Sequence, residues 1–349
     1  MNKHPDFVRL ERDFGIHIDA VDYVAPQYAR DFALAMDAQP ALVSVSNAGI
    51  PAYLANYIDP KLIEVLTAPN KAAQILGERK AGDWTTLTYT FPVVEHTGEV
   101  ATYGDYNANG SVGVNSTFPV RQSYHYQTVT QWGEKQLEVA GLAKIDYASR
   151  LNIASALVLD KFQNESYFRG VAGLQCYGLL NDPGLPAAIQ PGAKAFGAAA
   201  HGPWITAGVI TATANEIYSD IQSLYVALTT QTKGLIDPNS RVVLVTDPAS
   251  ATALTATNTY NVNVYTLLKG NFPNIRFETA PQYATAGGNL VQLIAEELDG
   301  GDVGFVAFTE KMRAHAIIRD SSSFSQKKSQ GTWGAVIVRP VGVAQMLGV

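Results

Sequence analysis

Few residues in this chain of 349 have the type and spacing to do covalent chemistry. Its one cysteine, Cys176, is either a nucleophile or, the reading favoured here, a small buried hydrophobe. A lone thiol rules out an intramolecular disulfide and leaves no cysteine cluster for zinc. The six histidines (His4, His17, His96, His125, His201, His315) show no metal-ligand spacing and read as surface or interface groups. No two glycines are separated by one residue, so the dinucleotide fingerprint is excluded, and the Walker, H-E-x-x-H and G-x-S-x-G patterns are also absent. The expectation is no catalytic residue, no cofactor and no metal. Glu95, Glu99 and Asp105 have a bland reading as solubilising charges and a sharper one as partners in salt bridges between chains. Lys327 and Lys328 lie in a polar stretch, Asp320 to Gly331, read as a solvated turn or as a contact.

The elements that would position these groups are unusual. Gly133 to Tyr167 reads as one amphipathic helix of roughly 30 residues, about 50 Å long at 1.5 Å per residue. Its apolar stripe is Leu137, Ala140, Ile145, Ala148, Leu151, Ala154, Leu157, Val158 and Phe162. Asp146 and Arg150 stand four apart on its exposed side. Gly141 is its weak point, costing about 1 kcal/mol against Ala, and a candidate bend. Before it, Trp84 to Phe91 and Gln122 to Trp132 alternate with the period of strands and flank a tip, Gly104 to Ser116, rich in Gly, Asn and Ser. Such a two-stranded arm is marginal in water alone, so its Tyr/Leu/Phe face needs a partner surface.

Elsewhere the pattern mixes α and β. Met1 to Glu78 has no single periodicity: Tyr28 to Met36 is weakly helical, Ala41 to Leu54 is β-prone, Leu62, Val65 and Leu66 share a helical face, and Lys71 to Leu76 makes a helical turn. Thr213 and Glu216 have the spacing of a capping box. They open a helix lined by Ile217, Ile221, Leu224, Tyr225 and Leu228. Ala249 to Thr257 reads as a short helix. Arg241 to Thr246, Asn274 to Thr279, Leu290 to Ala295, Val303 to Phe308, Ala314 to Arg319 and Ala335 to Met346 read as strands.

Composition sets bounds. Hydrophobic residues make up 47% of the chain, the content of a folded protein, and no apolar run approaches the ~20 residues of a membrane span. The net charge is −6 with 16% charged residues, and no basic run exceeds Lys327-Lys328, so the clustered footprint of sequence-specific DNA binding is missing. Met1 to Arg12 is charged and lacks the apolar core of a secretory signal, which with the single cysteine points to folding in a reducing cytoplasm.

Several segments carry a resemblance. They are Gly82-Asp83-Trp84-Thr85, Phe91-Pro92-Val93-Val94-Glu95, Gly98-Glu99-Val100, Tyr103-Gly104-Asp105-Tyr106, Arg121-Gln122-Ser123-Tyr124-His125, Ser149-Arg150-Leu151-Asn152-Ile153-Ala154 and Gly178-Leu179-Leu180-Asn181-Asp182-Pro183-Gly184. Together the chain resembles the major capsid proteins of tailed bacteriophages, the Hong Kong 97-type shell fold shared with encapsulins. The resemblance implies an α+β subunit. Residues 1–77 would be an N-terminal arm and 78–132 an extended loop. Residues 133–168 would be a peripheral domain built on the long helix, 169–308 an axial domain, and 309–349 the peripheral domain's C-terminal strands. It implies assembly with itself, through pentamers and hexamers, into an icosahedral head around double-stranded DNA. The head would be built in the bacterial host cytoplasm, with separate scaffolding, portal and decoration proteins as further candidate partners and no membrane. On this reading Asn181, Asp182, Pro183 and Gly184 are family-motif residues. Glu95, Glu99, Tyr103, Asp105 and Arg121 become candidate contacts between subunits, Lys327 and Lys328 candidates at a symmetry axis, and Gly141 a spine-helix bend. Some members of the fold weld their shells through a lysine on the extended loop. No lysine lies between Lys80 and Lys135 here, so a non-covalent shell is expected. The weak positive charge suits a container wall, which should not adhere to the DNA it holds. Two alternatives are an encapsulin-like compartment for a cargo enzyme and an α/β enzyme with an unfamiliar site.

Overall fold

The computed structural model describes residues 69–142, 146–195 and 201–349. The sequence expectations for Tyr28 to Met36, Ala41 to Leu54 and Leu62 to Leu66 lie outside the described residues. Within them, α1 (Ala72–Leu76) leads into β1 (Glu78–Lys80). An arm then carries β2 (Thr88–Thr90), β3 (Val93–Gly98), β4 (Val112–Thr117) and β5 (Val120–Gln122). β6 (Tyr124–Gly133) runs into α2 (Glu134–Leu142), and α3 (Tyr147–Arg169) follows.

The second half opens with a small hairpin, β7 (Ile205–Thr206) and β8 (Val209–Ile210), before α4 (Ala214–Gln231). Then come β9 (Val242–Thr246), α5 (Pro248–Ala253), α6 (Val264–Asn271) and β10 (Ile275–Thr279). β11 (Ala284–Thr285) and β12 (Gly288–Ala295) precede a tight pair, β13 (Glu297–Leu298) and β14 (Gly301–Asp302). The chain ends with two long strands, β15 (Gly304–Arg319) and β16 (Ser323–Ile337), and with β17 (Val343–Leu347).

Two sheets organise the molecule. One is ordered β10-β9-β12 with β17 and β11 also on β12; β10 and β9 run parallel because α5 and α6 carry the crossover between them. Every residue of β9 is buried, as befits a strand covered on both faces. Helix α4 supplies part of that cover through Ile217, Ile221, Leu224 and Leu228, which recur at helical spacing and are all buried. Its capping box is present: the Thr213 hydroxyl accepts from the Glu216 N–H at 3.4 Å, and the Glu216 carboxylate accepts from the Thr213 N–H at 2.7 Å. The other sheet is ordered β1-β15-β16-β6, and α3 lies against β16.

Four sequence expectations are corrected. The rod of Gly133 to Tyr167 is two helices, because Asp146 leaves helical geometry and uses its carboxylate to accept from the Ser149 N–H at 3.1 Å, starting α3 afresh. Gly141 sits in the last turn of α2, just before that break, with open space where a Cβ would be. The apolar stripe is not the buried face. α2 buries nothing, and α3 buries Ser155, Leu159, Gln163, Asn164, Ser166, Tyr167 and Phe168 while Leu157 stays exposed. The reason is β16, which offers polar groups to the helix and is matched by polar groups. Tyr124 to Trp132 is not part of a bare arm, since β6 pairs along its whole length with β16, from Ser323↔Gly133 to Thr332↔Tyr124. Finally, Asp320 to Gly331 is not a loop: only 320–322 turn, and Lys327 and Lys328 lie in β16.

A buried ion pair ties the connection between α3 and α4 to the body. Lys194 Nζ lies 2.5 Å from Asp220 Oδ2, both side chains being almost wholly buried. The same oxygen accepts from Trp204 Nε1 at 2.7 Å, and Asp220 Oδ1 accepts from the Gly192 N–H at 2.8 Å. The carboxylate is therefore fully partnered, which is the condition for keeping a charge inside. Lys194→Ala would strand it, and urea unfolding of the unassembled subunit is expected to show a loss of about 3–5 kcal/mol.

Candidate interaction surface

The arm projects from the body as two short antiparallel ladders in series. Thr88 to Thr90 pairs with Val120 to Gln122, and Val93 to Gly98 pairs with Val112 to Thr117. Beyond the second ladder the tip turns back without regular structure. Tyr106 and Val100 are as exposed as in an isolated peptide, and Leu87, Tyr103, Val112, Val114 and Phe118 are also exposed. A ribbon of this kind has almost no core of its own, and an apolar concentration of this sort on a folded protein marks a surface made for another.

The candidate contact residues are distributed along it. Glu95 and Glu99 are exposed at the middle of the arm. Tyr103 and Asp105 meet each other at the tip, where the Tyr103 hydroxyl donates to Asp105 Oδ1 at 2.8 Å. Lys327 is exposed on β16, opposite Val129. Lys328 points the other way: it is buried, and its ammonium donates to Asn152 Oδ1 and Ser155 Oγ, each at 2.6 Å. Burial pushes its pKa below the usual lysine value.

The structure brings two of the singled-out residues together. Arg121, at the foot of the arm, donates to Asp182 Oδ2 at 2.9 Å, and both side chains are shielded from solvent. Asp182 Oδ1 accepts from the Gly184 N–H at 2.8 Å. The guanidinium also lies over the ring of Tyr177, 4.8 Å from its centroid. Asn181 fixes the same corner, donating to the Arg169 carbonyl at 2.5 Å and accepting from the Gly178 N–H at 2.7 Å. Pro183 is exposed on the turn, and a Cβ on Gly184 would come within 3.0 Å of Pro340. The motif residues thus build the corner that receives the arm. Nothing in the spacing of Arg121 and Asp182, 61 residues apart, announces the pair.

Aromatic contacts complete the footing. Trp333, wholly buried, donates from Nε1 to the Ala81 carbonyl at 2.8 Å and packs against Tyr89, Phe91 and Phe305. Trp84 meets His125 edge-on at 4.5 Å, and burial lowers the His125 pKa against an opposing pull from Glu310. Two hydrogen bonds, the Gln122 N–H to the Gln175 carbonyl at 3.0 Å and the Gln175 N–H to the Gln122 side-chain Oε1 at 3.1 Å, staple the arm to the hairpin after α3. Cys176 lies in that hairpin. It is 1% exposed and burial pushes its thiol up to about 12, so it is an inert packing group. Among the described residues, no cluster of three His, Cys, Asp or Glu could hold a metal ion.

The family model that matches the chain is that of the Pa193 gp26 major capsid protein, over residues 41–348. Among solved structures, the capsid of Myoviridae phage XM1 is 14% identical, covers 87% of this chain and 100% of its own, and superposes with a TM-score of 0.71. The capsid of the native GTA particle is 11% identical over 85% of this chain and 96% of its own, with a TM-score of 0.56. Gordonia phage Cozz is 11% identical over 89% of this chain and 98% of its own, with a TM-score of 0.55. No curated protein sequence matches. The structural likenesses establish the fold, the α+β Hong Kong 97-type shell fold that the sequence resemblance implied.

Two outcomes check the corner at the foot of the arm. Arg121→Ala, Asp182→Ala and the double variant should give a coupling of about 2 kcal/mol in a urea double-mutant cycle, since a shielded charge is stranded in each single variant. Cys176 should react with iodoacetamide at pH 8 about a thousandfold more slowly in the folded chain than in urea, because so little of it is thiolate.

Proposed function

This chain belongs to the Pa193 gp26 major capsid protein family, a structural subunit of phage heads, and from that premise we propose how it builds one. Subunits gather into pentamers and hexamers, and these close into an icosahedral shell around double-stranded DNA. The observation that carries this reading is the arm: an apolar, coreless ribbon held at a fixed angle by the Arg121–Asp182 corner. A neighbouring copy is the surface it fits. Glu95, Glu99, Tyr103 and Asp105 travel on the arm to that neighbour, and Lys327 offers a cation from the exposed face of β16.

The shell is held without covalent welds, since no lysine stands between Lys80 and Lys135 to form an isopeptide bond from the arm. Many modest contacts, each repeated over every subunit, supply the cohesion. The wall's net charge of −6 favours a head that encloses DNA without gripping it. Assembly takes place in the host cytoplasm, with scaffolding and portal supplied as separate proteins. Gly141, beside the break between α2 and α3, marks where the spine changes angle if the head changes shape. No catalytic role is assigned to any residue.

Negative-stain microscopy of the purified chain, with its scaffold where one is needed, is expected to show closed shells or rings of five and six. Replacing Val100 and Tyr106 together by Ser should cut shell yield at least about tenfold, since each buried side chain is worth roughly 1.5–3 kcal/mol. Boiled shells should run as monomer on a denaturing gel. A chain that stays monomeric with its scaffold present, or a covalent ladder, would overturn the reading.

A further inference from the structure

The sheet at the root of the arm is ordered β1-β15-β16-β6, and its two outer edges are unlike. β1 covers β15 only from Val306 to Phe308, so the rest of β15 is one edge and β6 is the other. An open edge offers a row of N–H and C=O groups to any strand that arrives, and proteins break such rows with bulges and charges. β15 carries both. Its pairing with β16 shifts register at Phe308/Glu310, Glu310/Arg313 and Ala314/Ile317, and Met312 is turned to a φ of +35°. Lys311, Arg313 and Arg319 stand exposed along the same stretch.

β6 carries neither. It pairs with β16 in unbroken register over its ten residues and contains no Lys, Arg, Asp, Glu or Pro. About every second N–H and C=O of such a strand points away from its partner. Among the described residues, residues 124–132 make no backbone-to-backbone hydrogen bond except to β16. Trp84 packs on His125 at the start of the strand, and the Gly133 N–H is taken by Gln136 Oε1 at its end. Tyr126 to Trp132 remains open, about 23 Å at 3.3 Å per residue, with Gln127, Val129 and Gln131 exposed.

We infer, on the reading of this chain as a shell subunit whose arm meets a neighbour, that β4 of a second copy pairs with this edge of β6. β4 has what the edge asks for. It is bonded to β3 alone, so its other side is an open row too. Its six residues, Val112 to Thr117, are all exposed and uncharged, and they span about 20 Å. β3, the other strand of that ladder, carries Glu95 and His96. The subunit's own β4 is out of place for the pairing. Phe118-Pro119 leads it into β5, and Ser123 leads β5 into β6, so it lies beyond the start of β6 and not beside it. Strand addition draws its affinity from main-chain hydrogen bonds, which suits an arm with little side-chain chemistry to offer. It joins the four-stranded sheet of one copy to the arm ladder of the next.

The test compares the full-length chain unassembled and in shells, grown with its scaffold where one is needed. Hydrogen exchange read by mass spectrometry should show the fast amides of residues 126–132, and those of residues 112–117, slowed at least about tenfold in the shells. Val129→Cys, combined in turn with a cysteine at each position of β4, should link copies on oxidation in at least one combination. This reads as a ladder on a non-reducing gel that collapses on reduction; Cys176 is buried and takes no part. Ile317→Cys on β15, combined with the same β4 positions, should not link. Shells in which residues 126–132 exchange as fast as in the unassembled chain would overturn the inference and leave the shell reading standing, whether or not the cysteine variants assemble. Protection of residues 126–132 without protection of 112–117 would overturn it as well, because a different strand would then hold the edge. A chain that makes neither shells nor rings with its scaffold present would remove both readings.

Discussion

From Lys328 to Ile337 every side chain of β16 is buried, although the first half of that run is Lys328, Ser329, Gln330 and Thr332. Polar groups are tolerated inside only with partners, and α3 supplies most of them. Lys328 finds Asn152 and Ser155, Gln330 finds Gln163, and Thr332 shares a hydrogen bond with Ser166 at 2.9 Å. The chain of contacts continues outward through Tyr167 to Glu78, and from Glu78 to Lys311 on β15. Hydrogen bonds have positions where apolar contact has only area. This interface therefore fixes the register of helix on strand, and with it the place where α3 stops and the corner at Asn181 begins.

That corner is packed without slack. A Cβ on Gly178 would stand 2.2 Å from the Phe168 backbone, and one on Gly334, whose φ is +72°, would stand 2.2 Å from the Tyr177 carbonyl. The hairpin after α3 is thus pressed between the helix it leaves and the β16 backbone. Arg121 and Asp182 meet at its edge. The arm has almost no core of its own, but its foot is embedded in some of the tightest packing of the subunit. A coreless ribbon with a fixed root is a directed one.

Much of the β10-β9-β12 sheet and its covering helix was legible in the sequence because each element there obeys one rule at a time. The capping box of α4 and the continuous apolar run of β9 are local signals, and the structure repeats them. The spine was misread for a physical reason. Periodicity of Leu157, Val158 and Phe162 says that apolar residues share a side of a helix; it does not say that the partner on the other side is polar. Gln163 and Ser166 look like surface residues until they are seen facing Gln330 and Thr332. β16 was divided into loop and strand for the same cause, since Lys327, Lys328 and Gln330 carry no strand signal of their own. The Arg121–Asp182 pair was out of reach because the two residues are brought together only by the turn that Asn181 and Gly178 make. The motif residues could be singled out by resemblance, but their job as a corner could not.

The burial of Arg121 and Asp182 has a consequence for how the protein responds to ionic strength. Mobile ions screen charges in proportion to their access, over a length near 8 Å at physiological salt, and shielded pairs feel them least. Glu95, Glu99 and Asp105 stand in the open, whereas the pair at the root of the arm does not. Raising the salt therefore weakens the charges that the arm carries outward while leaving the angle at which it leaves the body unchanged. On the proposed reading of those charges as contacts between copies, the subunit would keep its shape under conditions that loosen its grip, and electrolyte would separate the geometry of the building block from the adhesion between blocks.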